Sequence, residues 1–575
     1  MAEQQTKKSF SEKDDLIDQE QKDFQYAKKR IKEMQDFREK NHYGVNLNRL
    51  WSEADRDYVP HRLKTTGKRV VATDEEKGWR GALVTLGDSN WQSDIAQSNP
   101  FIKIQTAQSI LVDQNPTGVF TAATKKYQAT TELIRQLYQR SWEVAKSKQQ
   151  LKLFIHNLSK YGWATARTYP LKITRKTKVP TSFEENAPDK IKYEEKEVVE
   201  YNDIFRENLD PRNTWMDDMT RPNNRFSMRD WCYRKVYALD AAKDEFGKYK
   251  LWDKVTPGGN VSELIDTKIQ QDKQLEETEL VEIYFYENRL KDLFIIIANG
   301  VPVAIEPLPV SDSNGNKKLS LWQTYWNLRH AESPYGIGIY EAIRFDNAFL
   351  DRIRNMTIDQ LTLSIYKMFF YTGTQTLQNT GDLKVTPGIG KQILNPKDIN
   401  WLEVPGPGRD AFAGIEMFKN DVDEASGITQ PLIGEITGKT AFELAQAKES
   451  ALKRLKTPLE NILDALDTEG YITVYLMQLI YSIPEVIQIS DQNKVEAYLN
   501  EIQSDPALYE RDSLTGAFSA KIYQEFPLNL EEDEQSNLIE TSETSFFRVK
   551  PSGLKWEGMI NIKSESVLAP SKQIE

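Results

Sequence analysis

Two long helical patterns, Gly336 to Tyr371 and Thr440 to Ile483, constrain this chain more than any other feature. In the first, Ile339, Ile343, Leu350, Ile353, Met356 and Leu361 recur at steps of three, four or seven, with one step of five, the spacing of one helix face. Arg344, Asp346, Asp351, Arg352, Arg354 and Asp359 occupy the rest, with Asp351 and Arg354 close enough to pair at i,i+3. At 1.5 Å per residue such a helix runs on the order of 50 Å, the length of a strut. The second pattern opens on Thr440-Ala-Phe-Glu443, a capping box in which threonine and glutamate satisfy each other's free backbone N–H groups. Ala441, Leu444, Ala445, Ala451, Leu452 and Leu455 then form a face lined with small residues, open to close approach by another helix. Pro458 predicts a kink, because its ring crowds the Arg454 carbonyl and supplies no N–H. Leu459, Ile462, Leu463 and Leu466 resume the pattern, and Gly470 is a second weak point.

Composition limits what such struts can serve. The length of 575 residues has room for roughly four average domains. A formal net charge of -11 argues against a general nucleic-acid binder with a basic surface, though not against a few local contacts to DNA. Cys232 is the only cysteine, so no intrachain disulfide can form, and a reducing compartment is expected. Residues 1–40 are charged throughout, without the apolar stretch of a signal peptide. The most apolar run, Tyr471 to Ile483, falls short of the roughly 20 residues a membrane span needs and reads as a buried helix.

Taken in order, residues 11–41 carry a near-heptad stripe of Ile17, Phe24, Ala27, Ile31, Met34 and Phe37, with Gly44 as a candidate C-cap. This helix is either an arm that docks on a partner or a helix lying on its own domain. Val45 to Gly162 reads as mainly helical, most clearly from Thr121 to Tyr161. Trp163 to Leu209 alternates as strands do, with a surface loop or hairpin tip at Thr181 to Lys190. Asn208 to Asp218 is turn-rich, with Trp215 as an aromatic anchor, and Lys254 to Gln274 reads as an exposed loop. Two further strand runs follow between Glu279 and Val310, with Asn299-Gly300 as the turn of a hairpin. Val486 to Glu575 mixes short helical and strand patterns and includes a hairpin-like stretch, Ser545 to Ser566.

No catalytic constellation emerges. Gly434-Glu-Ile-Thr-Gly438-Lys439-Thr440 resembles a phosphate-binding loop, but three residues separate its glycines where four are required, and Ile433 stands where the first glycine belongs. A flexible loop leading into a capped helix is the better reading. Gly406-Pro-Gly408-Arg-Asp-Ala411 matches a dinucleotide fingerprint formally. Pro405 and Pro407 stiffen that turn and remove amides, so it reads as a connector. His42, His61, His156 and His330 lack ligand partners at i+3 or i+4, so no metal and no cofactor is expected. Asp217-Asp218 and the acids Asp421, Asp423 and Glu424 could hold a divalent cation; solvated acids at loop and helix positions are the stronger expectation.

The succession of elements from Tyr161 to Ile483 resembles the portal proteins of tailed bacteriophages. A β-rich segment carries a DPRNTWMDD-like turn; SPYGIGIYEAIRFDNAFLDRIRNMTIDQ is similar to a glycine-led first stem helix; GITQPLIGEITGKT is similar to a tunnel loop. The resemblance implies an α+β portal fold. Its parts are an N-terminal helical arm (1–44), a wing of helices followed by antiparallel strands (45–335), a first stem helix (336–371), a clip (372–409) and a second stem helix (410–426). A tunnel loop (427–439), a long kinked wing helix (440–483, kinked at Pro458) and a C-terminal region (484–575) follow. It implies a non-enzymatic ring, usually of twelve copies, at one vertex of the virion capsid, through which double-stranded DNA is packaged and ejected. Partners implied are the same chain, the DNA, the major capsid protein, the terminase and head-to-tail adaptor proteins, without a membrane. Gln430, Gly434, Glu435, Thr437, Gly438 and Lys439 would face DNA, and Pro387, Gly388, Gly390 and Trp401 would meet the adaptor or terminase. Two rival readings are a nucleotide-using enzyme built on the near phosphate loop and a helical scaffold or adaptor without a channel.

Overall fold

The computed structural model describes residues 2–40, 44–58, 93, 96–112, 117–123, 128–182, 192–217, 219–222, 227–249, 251–256, 258, 280–312, 315–365, 369–372, 390–393, 400–401, 405–433, 441–480, 486–489, 509–511, 518–520, 530–532, 538–540, 545–548 and 558–563. Helices and mostly antiparallel strands make it an α+β chain. It divides into two compact units, one of Met1–Arg49, Gln108–Ile337 and Lys456–Glu575, the other of Leu50–Ala107 and Gly338–Leu455.

The first unit is built on a five-stranded antiparallel sheet in the order Thr214–Met216, Asp230–Ala238, Leu280–Asn288, Leu293–Ala298, Val301–Glu306. Strand alternation sorts its side chains onto two faces. Cys232, Tyr286 and Ile295 stand in register on one face, and the N-terminal helix Ala2–Glu39 lays Ala27, Ile31 and Met34 against them. That helix therefore lies on its own unit, as the second of the two expectations held. Arg30 fixes it there with bonds to Asp230 (2.9 Å) and Asp217 (2.8 Å). Burial opposes the Arg30 charge, yet Asp230, Glu33 and Asp217 together raise its pKa. Arg38 donates to the carbonyls of Pro211, Arg212 and Thr214, tying the helix to the turn anchored by buried Trp215. On the opposite face Trp231, Tyr233 and Phe285 stack, with Phe246 and Trp252 beside them. Asn299 and Gly300 take left-handed φ angles of 43° and 82°, the hairpin turn expected of that pair.

A second sheet pairs Trp163–Ser182 with Lys192–Leu209 along a long hairpin, and Leu321–Tyr325 adds a third strand at its base. Thr181 and Ser182 belong to the strand, so the turn begins later than expected, and residues 183–191 lie outside the described residues. Helices Gln128–Val144 and Ser147–Tyr161 cover the base. The break between them is Lys146 in the left-handed region, and Gly162 ends the second helix, its N–H donating to Leu158 O. Gly336 passes so close to Gly162 that a Cβ there would sit 2.4 Å from the Gly162 carbonyl oxygen.

Several expectations are corrected. Thr121 belongs to a strand, Thr117–Ala122, which pairs antiparallel with Gly558–Lys563. Ser545–Arg548 pairs instead with Val486–Ile489, so the stretch read as one hairpin sends its two strands to different partners. Gly44 lies five residues beyond the end of the N-terminal helix at Glu39 and is not its cap. Gly470 is a close-approach position, where a Cβ would meet Ile560 Cγ2 at 3.0 Å.

The long helix Ala441–Ile480 runs without interruption through Pro458, and Thr440 lies outside the described residues. From Lys456 onward it belongs to the first unit, where Glu469 is fully buried. Glu469 accepts from Arg206 Nε (2.6 Å) on the hairpin and from the Tyr138 hydroxyl (2.6 Å) on helix Gln128–Val144; Arg206 also reaches Ser141 and Thr473. Burial, then the Glu469 carboxylate, pushes the Tyr138 hydroxyl well above its ordinary pKa. Removing one member strands a buried charge, at a cost of about 3–5 kcal/mol, whereas an apolar pair of similar volume avoids that cost. Chemical denaturation should therefore find Arg206→Met and Glu469→Leu each strongly destabilising, and the double variant less so than either. Additive losses would contradict this.

In the second unit, helices Ile339–Ile365 and Arg409–Ser426 run antiparallel: the Phe349 and Phe418 rings stack at 5.8 Å, Ile353 Cδ1 lies 3.8 Å from a Cβ position on Gly414, and Gln360 donates to Pro405 O. The first helix is shorter at both ends than its sequence pattern. Gly336 precedes it in an extended stretch bridged to Asn327, and Phe369–Thr372 is a strand. That strand is central to a small sheet, parallel to Gly390–Ile393 and antiparallel to Asn400–Trp401.

Candidate functional site

The helix pair is where the second unit leaves chemistry uncommitted. Ile339, Ile343 and Leu350 are buried, as the one-face pattern predicts. Met356 and Leu361, assigned to the same face, are 59 % and 44 % exposed. Phe345, Phe349, Ile358 and Ile365 on the same helix, and Phe412 and Met417 on its partner, are exposed as well. At 100° per residue, Phe345, Phe349 and Met356 fall within an arc of about 40°, while Ile358, Leu361 and Ile365 lie on roughly the opposite side. Scattered apolar residues on a surface need no explanation; here eight exposed large apolar side chains sit on one pair of helices.

The root of the pair is held by polar contacts. Asp351 accepts the Gln97 backbone N–H, Tyr340 donates to Asp57 (2.9 Å), and Arg344 pairs with Glu53 (3.5 Å). At the end of Arg409–Ser426, Gly427 is a left-handed cap (φ 71°), and buried Lys103 bonds both Asp423 and the Ile428 carbonyl. Arg454 donates to Glu424 O (2.7 Å). Asp423 is thus a salt-bridge partner, neither a solvated acid nor a cation ligand. Asp217 corrects the expectation in the same way, being buried between Arg30 and Arg229.

Of the expected DNA-facing residues, Gln430 is half-buried in a one-turn helix, Gln430–Ile433, rather than in an open loop. Gly434, Glu435, Thr437, Gly438 and Lys439 lie outside the described residues, and so do Pro387 and Gly388. Gly390 and Trp401 occupy the two outer strands of the small sheet, on opposite sides of Phe369–Thr372; both are opposite Phe369 in register. Pro405 to Gly408 forms an irregular connector into Arg409, as read from its prolines.

The first unit carries a cleft of about 570 Å³ between Leu321–Tyr325 and the helix face from Asn461 to Tyr475. Leu321, Trp322 and Ile472 line it, with Arg289, Lys318 and Asp464 among its charged residues. Burial, with a smaller effect from Glu460, raises the Asp464 carboxyl. Among the described residues there is no group of three His, Cys, Asp or Glu able to hold a metal. Cys232 is buried in the sheet, where burial and Asp230 push its thiol up, against the pull of Arg38 and Arg30. Among the described residues no helix is long and apolar enough to cross a membrane. Comparison of the sequence with protein-family models gives no match, and comparison with curated proteins gives none either.

One charge conflict sits within the helix pair. Asp346 and Asp421 fall in the same antiparallel register, and burial together with the Asp421 carboxylate raises the Asp346 pKa. A carboxyl whose folded pKa exceeds its unfolded value favours the folded state at low pH and loses that contribution as pH rises through the folded value. Asp346→Asn should raise the thermal midpoint at pH 7, with the gain shrinking toward pH 4. An unchanged or lower midpoint at pH 7 would contradict the conflict.

Proposed function

We propose that this chain is a portal-type subunit: copies close into a ring, double-stranded DNA passes through the hole, and terminase and adaptor proteins dock on one end. The observation that carries the reading is the helix pair Ile339–Ile365 and Arg409–Ser426, which pack on each other yet expose Phe345, Phe349, Met356, Leu361, Phe412 and Met417. Such helices gain stability by meeting copies of themselves, and a head-to-tail contact repeated around an axis closes into a ring.

Three features support it further. The order of elements matches the succession in the sequence: a β-rich unit, a long helix, a segment of short strands, an antiparallel second helix and a long proline-bearing helix. The small sheet of Phe369–Thr372, Gly390–Ile393 and Asn400–Trp401 has its two outer strands within residues 372–409, the clip of the resemblance, and is the proposed docking end. A net charge of -11 repels phosphate and lets a duplex slide rather than stick. Lys439, with Glu435 and Thr437, is the proposed contact to the moving DNA.

Negative-stain images of the purified protein test the ring: annular particles with a central hole are expected, and filaments or small dimers would overturn it in favour of a scaffold. Particles carrying Lys439→Ala should package or retain less DNA in single-turnover assays; unchanged packaging and retention would remove that residue from the channel.

A further inference from the structure

The long hairpin holds a feature that the ring alone does not explain. The third strand, Leu321–Tyr325, covers only residues 163–167, and the Thr168 N–H donates to Ser320 O. Beyond that point the described strands form a two-stranded ribbon reaching Ser182, about 45 Å long at 3.3 Å per residue. A two-stranded ribbon is marginal by itself in water.

Charge is divided between its strands. Residues 168–182 contain Lys172, Arg175, Lys176 and Lys178 and no acid. Residues 192–203 contain Glu194, Glu195, Glu197, Glu200 and Asp203 against Lys192 and Lys196. In the backbone register Lys176 stands opposite Glu197 and Lys178 opposite Glu195, so residues of opposite charge hold facing positions on the two strands. The same division leaves one outer edge basic and the other acidic. Pro170 and Pro180 bracket nine residues, Leu171 to Val179, that all keep their N–H groups, and the acidic strand has no proline.

Lysines and prolines on a strand edge often serve to ward off pairing. A lysine wards off an edge on which its charge would find no partner, whereas opposite charges on facing strands attract. Here the edges are of opposite sign, so a basic edge approaching an acidic one is drawn in.

We infer that the hairpins of neighbouring copies pair edge to edge, the basic strand Leu171–Val179 of one copy against the acidic strand Lys192–Glu200 of the next. The contact is head-to-tail and uses both edges of every copy, which suits a closed ring and rests on that reading. It continues the charge alternation outward, each basic strand lying between two acidic ones.

Two single-cysteine variants test it, Thr177→Cys and Glu195→Cys, made in separate chains and mixed before assembly; buried Cys232 stays silent in the folded protein. Mild oxidation should give a mixed disulfide between the two kinds of chain. Charge reversal supplies the second arm. Lys176→Glu/Lys178→Glu alone, or Glu195→Lys/Glu197→Lys alone, should need on the order of tenfold more protein to assemble, and an equimolar mixture, in which the edges that meet between copies are again of opposite sign, should assemble at lower concentration than either variant alone. Annular particles without a mixed disulfide, or a mixture that assembles no better than its parts, would overturn the hairpin contact while leaving the ring. Absence of rings in the parent protein would overturn both.

Discussion

The antiparallel packing of Ile339–Ile365 on Arg409–Ser426 is the interaction on which the account depends. It buries little of what it brings together. Phe349 stacks on Phe418 and remains 45 % exposed, and only the last turns of the second helix, at Val422, Asp423 and Ser426, are buried. The root of the pair is fixed by a set of ionic and hydrogen bonds, Lys103 to Asp423 and Ile428, Tyr340 to Asp57, Asp351 to Gln97. The apolar side chains left exposed above this root are what the proposed contact between copies would cover. Asp346 opposite Asp421 adds a local repulsion that no packing within the pair removes.

The first unit solves the opposite problem. Its sheet is covered by the N-terminal helix on one face and by Phe246 and Trp252, packed at Phe285, on the other, and buried ion pairs tie its elements together. Arg30 joins one helix to two carboxylates, and Arg206 joins a strand to Glu469 and Thr473 on the long helix and to Ser141 on another. These buried ions act as registers for elements far apart in sequence, since each leaves a charge unpaired if its element shifts. The long hairpin is the exception in this unit: among the described residues its two strands pair only with each other beyond Thr168.

Local patterns in the sequence carried much of this. The two long helices, the alternating strands, the Asn299-Gly300 turn and the stripe of Ala27, Ile31 and Met34 follow from periodicity and turn chemistry, which are properties of adjacent residues. What stayed hidden depends on distant ones. Thr117–Ala122 finds its partner at Gly558–Lys563, and no local rule separates that strand from the helical pattern around it. Gly470 reads as a helix weakness until Ile560 is seen against it. Asp217 reads as a solvated turn acid until Arg30 reaches it from another element. One signal was available: Glu469 stands at the head of an apolar run, and a carboxylate there calls for a buried cation. For the candidate site, periodicity found the first helix but assigned Met356 and Leu361 to a buried face, because spacing fixes which side residues share and not what covers it. Most of the loop and strand residues singled out for DNA and adaptor contact lie outside the described residues, so their assignment stands on the sequence resemblance.

The central claim is that the exposed side of this helix pair is covered by copies of the chain. Hydrogen–deuterium exchange across residues 345–361 and 409–418, compared between the assembled and the dissociated protein, tests it most directly. The account predicts slow exchange in these two stretches in the assembly and faster exchange on dissociation, while the buried sheet strands Asp230–Ala238 and Leu280–Asn288 stay protected in both. Equal exchange of the two helices in both states would contradict it.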